Sequence, residues 1–308
     1  MCEILCIGHA SYDVVLPLPD YPEENQKYAL SQKVESGGGP AANAAVLLSK
    51  WGVRTAFMGQ VGDDVYGRGV VLEIEASGVD VSLLHISPDL PTPHSTILVN
   101  MASGSRTILN VRQTPRPMPF SRQRLISMNP RILLLDGHEA DVSLQALALF
   151  PGALSILDAG SVKPGTLKLA ERVDYLISSE SFALSYCDLS SLTDSASAAV
   201  CLKKLSQLTR GKVIVTLGEQ GLLYWFQGRV HQQPAFPVKA VDTTGAGDIF
   251  HGAFAYGLLQ GYSLEQNLRF ASAASAISVQ TLGSRPSIPD LHQVLRLSST
   301  SDSHRFFP

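Results

Sequence analysis

The chain has 308 residues, with hydrophobic side chains at 45%, charged ones at 17% and a formal net charge of −3. That length suits two average domains or one large α/β domain with an appendage. The balance excludes both a disordered chain and a polyanion binder, so nucleic acid is not an expected partner. Residues 1–8 lack a basic stretch and are too short for a signal segment, and no apolar run approaches membrane-spanning length, so no membrane partner and a cytoplasmic location are the default expectation. Cys2, Cys6, Cys187 and Cys201 form no CxxC pair and the histidines no HExxH spacing, which points to buried filler rather than a disulfide or zinc.

In chain order, 4–8 reads as a short buried strand, 12–34 as strands with turns and Pro-rich joints, and 40–50 as a helix opened by proline. A strand over 55–59 and a helix over 67–76 follow. The segment 94–111 breaks the alternation: Ser103-Gly104-Ser105 is a hairpin signal between strands over 95–101 and 106–111. Residues 114–121, with three prolines, read as a connector. Beyond it come strands over 132–136, 154–158, 175–178 and 213–217, with helices over 144–150, 195–208, 245–260 and 264–279, and a frayed tail over 298–308. Buried strands alternating with helices predict an α/β fold with a mainly parallel sheet flanked by helices. The expected division is a core of 1–11, 35–93 and 112–308 and a small β-sheet lid of 12–34 and 94–111, covering a cleft at the carboxyl ends of the parallel strands. A small sheet with one open face is an aggregation hazard unless covered, which predicts a homodimer through the lid.

Two glycine clusters carry the chemistry. In Asp242-Thr243-Thr244-Gly245-Ala246-Gly247-Asp248, glycines bracket an alanine just ahead of an apolar helical run. A helix N-terminus has unpaired N–H groups and partial positive charge, and glycine lets a phosphate come close, so this is a candidate anion hole. Asp248 in the first turn could take a proton from an attacking hydroxyl. A Thr/Asp-capped helix with a glycine turn is the plainer reading of the same string. In Gly37-Gly38-Gly39-Pro40-Ala41-Ala42-Asn43, small residues would let a polyhydroxy ligand lie against backbone, and Asn43 offers a donor and an acceptor; tight helix–sheet packing is the alternative. No P-loop is present, because Thr166-Leu167 follows Gly165 where Lys-Ser/Thr is required.

Together with 8–13, 61–67, 216–221, 250–253 and 283–289, these clusters resemble in order and spacing the PfkB-type (ribokinase-like) carbohydrate kinases. The resemblance implies the ribokinase-like fold and transfer of the ATP γ-phosphoryl group to a primary alcohol. Asp248 would be the base and Gly245, Ala246 and Gly247 the anion hole. Asp13, Gly38, Gly39 and Asn43 would hold the sugar, and Thr216, Gly218, Gly221, Thr244 and Gly247 would line ATP. Magnesium is expected, although the family's Asn-x-x-Glu falls at Ser179-Glu180-Ser181-Phe182, leaving Glu180 offset by one as its candidate ligand. A monovalent cation, K+ in the first instance, would match Asp242, Thr244, Ser278, Thr281, Gly283 and Ser287.

Within the family the chain looks most similar to the sulfofructose kinase and ketohexokinase branches, which implies a ketose acceptor. Lys27 and Asn110 match two positions that hold an anionic sugar end, and His138 stands where an arginine is expected, without its bidentate fork. Arg106 stands where ketohexokinases also carry an arginine; a solvated charge is the alternative for it and for Lys27. A nucleoside kinase, with Tyr12 or Tyr28 as base platform, and a non-catalytic kinase-fold scaffold are the competing readings.

Overall fold

The computed structural model describes residues 2–111 and 117–300. Residues 114–116 of the expected connector and 301–308 of the expected tail lie outside the described residues. The chain runs β1 (Ile4–Ile7), β2 (Ser11–Leu18), β3 (Val34–Gly38), α1 (Pro40–Lys50), β4 (Thr55–Met58), β5 (Gln60–Gly62), α2 (Val65–Ala76), β6 (His85–Ser87), β7 (His94–Asn100) and β8 (Arg106–Val111). It continues α3 (Arg122–Met128), β9 (Ile132–Leu135), α4 (Ala140–Leu149), β10 (Leu154–Ala159), α5 (Pro164–Ala170), β11 (Tyr175–Ser179), α6 (Glu180–Cys187), α7 (Ser195–Leu208) and β12 (Lys212–Thr216). The last elements are β13 (Leu222–Phe226), β14 (Arg229–Gln233), α8 (Ala246–Leu259), α9 (Leu264–Ser278) and α10 (Leu291–Ser299).

The eight-stranded sheet has the order β14-β13-β12-β11-β10-β9-β1-β4, parallel from β12 to β4 with an antiparallel hairpin at the other edge. Alternate side chains feed two cores: Ile4, Cys6, Ile132 and Leu134 face one side, Leu5, Ile7, Leu133 and Leu135 the other. Burial on both faces explains why these strands are continuous apolar runs rather than alternating ones. The first core is covered by α1, α2, α8, α9 and α10, the second by α3 to α7. Leu47 and Leu48 on α1 are fully buried, each worth about 1.5–3 kcal/mol of apolar burial. Small residues set the α1–α8 spacing, since a Cβ on Gly252 would lie only 3.2 Å from the Ala44 Cα.

A separate four-stranded sheet, β3-β2-β7-β8, buries Val15, Ile97 and Val99 with Leu282 packed against them. It differs from expectation in two respects. Residues 19–33 contain no strand, because Pro19 and Pro22 lack ladder donors and the stretch is exposed and charged. The pairing partner is instead β3, whose end is the glycine cluster itself, with Ser36 opposite Asp13 and Gly38 opposite Ser11.

Candidate active site

The site lies where the carboxyl ends of the parallel strands meet the N-terminus of α8, the usual ligand crevice of an open α/β sheet. Gly245 caps α8 at φ 78°, a left-handed conformation that favours glycine, and a Cβ there would also meet Ser284 at 2.6 Å. Gly247 differs, as a Cβ on it would meet nothing within 4 Å. The first-turn N–H groups of Gly247 and Asp248 have no carbonyl inside the helix to bond. The Asp242 carboxylate braces this turn from behind, Oδ1 accepting from the Thr244 N–H at 2.8 Å and Oδ2 from the Gly283 N–H at 2.8 Å. Asp242 and Ser278 are 1% exposed, and the buried Thr244 Oγ1 has no hydrogen-bond partner. An orphaned hydroxyl beside a buried carboxylate is the donor chemistry a dehydrated monovalent cation would satisfy. Ser287 Oγ, in contrast, is already spent on the Ser284 carbonyl, and Thr281 enters this turn through its N–H to the Ser278 carbonyl.

Of the residues expected to hold the sugar, Asn43 reaches Asp248. Asn43, 1% exposed on α1, donates from Nδ2 to Asp248 Oδ2 at 2.7 Å. Its Oδ1 accepts from Arg285 Nε at 3.2 Å. Asp13 accepts from the Ser11 hydroxyl at 3.0 Å and bonds Ser95; it presses so closely on Gly38 that any Cβ there would fall 1.9 Å from its Oδ2. Gly39, at φ 98°, turns the chain into α1.

Burial raises the carboxyl pKa of both Asp248 and Asp13. Opposing it at Asp248 are the Asn43 hydrogen bond and the charges of His251 and Arg106. At Asp13 the opposing groups are Ser11, Ser95 and Arg285. Behind Asp248, His251 Nδ1 lies 2.7 Å from the Gly247 carbonyl and 3.2 Å from Asp158 Oδ2. Burial lifts the Asp158 carboxyl to about 6, with His251 pulling the other way.

At the far end, the fully buried Asp136 accepts from the backbone N–H groups of His9, Ala41 and His138. His138 Nδ1 stands 3.2 Å from Asp136 Oδ1, and its Nε2 faces Lys163 Nζ at 3.4 Å. Burial lowers the His138 pKa, but the Asp136 charge and hydrogen bond outweigh it, and the net shift is upward. Arg106 reaches from β8 to Thr243, Nη1 to Oγ1 at 2.6 Å, so it does arrive at the anion-hole loop. Lys27 is exposed within 19–33, and Asn110 is exposed on β8 opposite Ser95. Among the described residues neither makes a hydrogen bond or ion pair with Asp13, Asn43, Asp248 or His138.

On the side expected for the nucleotide, Thr216 ends β12 and donates to the Ser178 carbonyl at 3.3 Å. Gly218 and Gly221 shape the tight turn into β13, at φ 59° and 90°. Glu180 opens α6 as its first residue, while the Ser179 hydroxyl caps that helix by accepting from the Phe182 N–H and donates to the Gly160 carbonyl. Among the described residues no three acidic, His or Cys side chains cluster to hold a metal. Magnesium, which keeps its waters and leans on phosphates, needs no such cage, and the lone Glu180 carboxylate is compatible with it.

The sequence reading missed Arg285, Asp136, Asp158, Lys163 and His251. The general preference of ligands for strand carboxyl ends would have found Asp136 and Asp158, which follow β9 and lie near the end of β10.

The fold is shared with known proteins. The model of the pfkB family carbohydrate kinases matches residues 1–291. The chain is 30% identical to a ribokinase of Arabidopsis thaliana, covering 96% of this chain and 80% of that one. It is 27% identical to a nucleoside kinase of Methanothermobacter thermautotrophicus, covering 96% and 94%. Among solved structures, Arabidopsis thaliana ribokinase complexed with ribose and ATP superposes with a TM-score of 0.79 at 27% identity, covering 97% of this chain and 99% of that one. The ribokinase of Thermotoga maritima gives 0.78 at 26%, covering 97% and 100%.

Proposed function

Because the chain belongs to the pfkB family of carbohydrate kinases, we propose that it transfers the γ-phosphoryl group of ATP to a primary hydroxyl of a ketose or ketose derivative. The observation that carries this reading is the 2.7 Å bond from Asn43 to Asp248, which joins the sugar-side cluster to the anion hole. The sugar lies along Gly38 and Gly39 with Asp13 accepting from its hydroxyls. Asp248 takes the proton of the attacking hydroxyl, and the N–H groups at Gly245–Gly247 hold the transferred phosphoryl oxygens. Catalysis of this kind is mostly positioning and charge stabilisation, because the transition state asks for little covalent help.

ATP lies along Thr216, Gly218, Gly221 and Thr244, with Arg106 closing over the same end. Magnesium supplies counter-charge to the phosphates, and Glu180 would hold it through water. A potassium-like cation would sit among Asp242, Thr244, Ser278, Thr281, Gly283 and Ser287, satisfying the buried Thr244 hydroxyl. The small sheet acts as a lid, and its exposed Ile108, Leu109 and Val111 favour packing against the lid of a second copy. No helix among the described residues is long and apolar enough to cross a membrane.

The ketose assignment draws on the basic far end, where His138 and Lys163 would face the acceptor group remote from the attacking hydroxyl. Ribose is the second reading, favoured by the ribokinases among the relatives. A nucleoside is less well served, since the Tyr12 ring packs against Tyr66 and His94 rather than standing free as a platform. A coupled assay of ATP consumption with fructose, fructose phosphates, ribose and nucleosides separates these. Turnover confined to ribose would replace the ketose reading, and turnover confined to nucleosides would overturn the sugar reading.

A further inference from the structure

Arg285 is 3% exposed, and no step above uses it. Its Nη1 lies 2.9 Å from Glu73 Oε2, an oxygen that also accepts from the Gly37 N–H at 2.6 Å. Its Nε donates to Asn43 Oδ1 at 3.2 Å, and Asn43 Nδ2 donates to Asp248 Oδ2 at 2.7 Å.

This chain of bonds has one self-consistent direction. A guanidinium carries donors and no acceptor, so the amide edge facing it must be the Asn43 oxygen. The Asn43 NH2 group then has to face away, toward Asp248, where only an accepting oxygen can meet it. A reversed amide would set NH2 against guanidinium and carbonyl against carboxylate, exchanging two hydrogen bonds for two repulsions. Glu73 balances the buried positive charge, so Arg285 acts on Asp248 through the amide rather than through a bare field.

We propose that Arg285 is a positioning residue that locks the Asn43 amide, and so holds Asp248 with Oδ2 occupied and Oδ1 free for the acceptor's proton. The inference rests on Asp248 being the base. The other groups acting on that carboxyl are His251 on its own helix, Arg106 from β8 and Asp136 after β9, with Asp13 on β2 and Asp158 on β10 coupled to it.

The test uses the full-length protein with carbon-13-labelled aspartate carboxyls, following the Asp248 titration in wild type, Arg285→Met and Arg285→Lys. Arg285→Met is expected to raise the Asp248 midpoint by about one pH unit, the effect of losing one charge-assisted hydrogen bond. The acidic limb of kcat moves up with it. Arg285→Lys keeps a donor for Asn43 Oδ1 and restores most of the shift. A folded Arg285→Met protein with the wild-type Asp248 titration would overturn the proposal, leaving Arg285 as a structural clamp. Should Arg285→Met not fold, wild type alone decides. The Asn43 side-chain amide resonances must follow the Asp248 titration, and amide signals indifferent to it would equally overturn the lock. Asp248→Asn retaining wild-type turnover would sink the base assignment instead, and leaves both of these readouts intact.

Discussion

The buried floor of the candidate site and its lid side differ in how their groups are held. Asn43, Asp242 and Arg285 are 1%, 1% and 3% exposed, and each is bonded to elements far away in sequence. Lys27 and Asn110 hang from an exposed stretch and an exposed edge strand. A group fixed by several buried partners cannot be altered without disturbing its neighbours, whereas an exposed one can be exchanged freely. On the proposed reading, the contrast puts the reaction at the rigid end and leaves the choice of acceptor to residues that are cheap to change.

The strongest way to break this comparison is Asp248→Asn, for which we expect kcat to fall at least ~100-fold, within the usual range for a general base. ATP affinity, measured by calorimetry, should hold. A second cut separates two glycines only two residues apart. Gly247→Ala adds a methyl group to open space in a helix, so thermal stability should hold or rise by about 0.5–1 kcal/mol, while turnover drops ~10-fold or more as the methyl group crowds the anion hole. Gly245→Ala should instead lower the melting temperature, because of its φ of 78° and the Ser284 contact.

Lys27→Ala and Asn110→Ala sharpen the other side of the comparison. Each should leave kcat within ~3-fold, as surface substitutions ordinarily do, and any effect should fall on the KM of the acceptor. A large loss of kcat from either would move it into the rigid set.

The smallest expected effect concerns Glu139, whose carboxyl burial lifts to about 7 from an ordinary 4.5. A raised folded-state pKa means that the native protein holds the proton more tightly than the unfolded chain. Glu139 therefore favours folding below about 4.5 and loses that contribution as pH rises through about 7. In Glu139→Gln the fall in melting temperature between about pH 5 and 7 should be shallower than in wild type, read by calorimetry.

Much of the core was legible because parallel strands buried on both faces are short, continuous apolar runs. The helices Pro40–Lys50 and Ser195–Leu208 were readable to both ends: a proline opens the first, and Asp194 caps the second by accepting from the Ser197 N–H. The hairpin of β13 and β14 escaped notice because its turn is Gln227-Gly228, with φ 50° at a glutamine, a residue seldom read as a turn former. α5 and α6, at 7 and 8 residues, are too short for periodicity to show. In the candidate site, the glycine turn and helix start at residues 242–248 were legible because their signal is local. Arg285 was not, as its bond to Asn43 spans 242 residues and no pattern along the chain connects them.

The 2.6 Å contact of Arg106 with Thr243 also bears on timing. It ties the start of β8 to the loop ahead of α8, so on the proposed reading covering the sugar and completing the anion hole would happen together. An exposed bond of this kind contributes about 1 kcal/mol, roughly a fivefold bias toward the geometry in which β8 touches this loop.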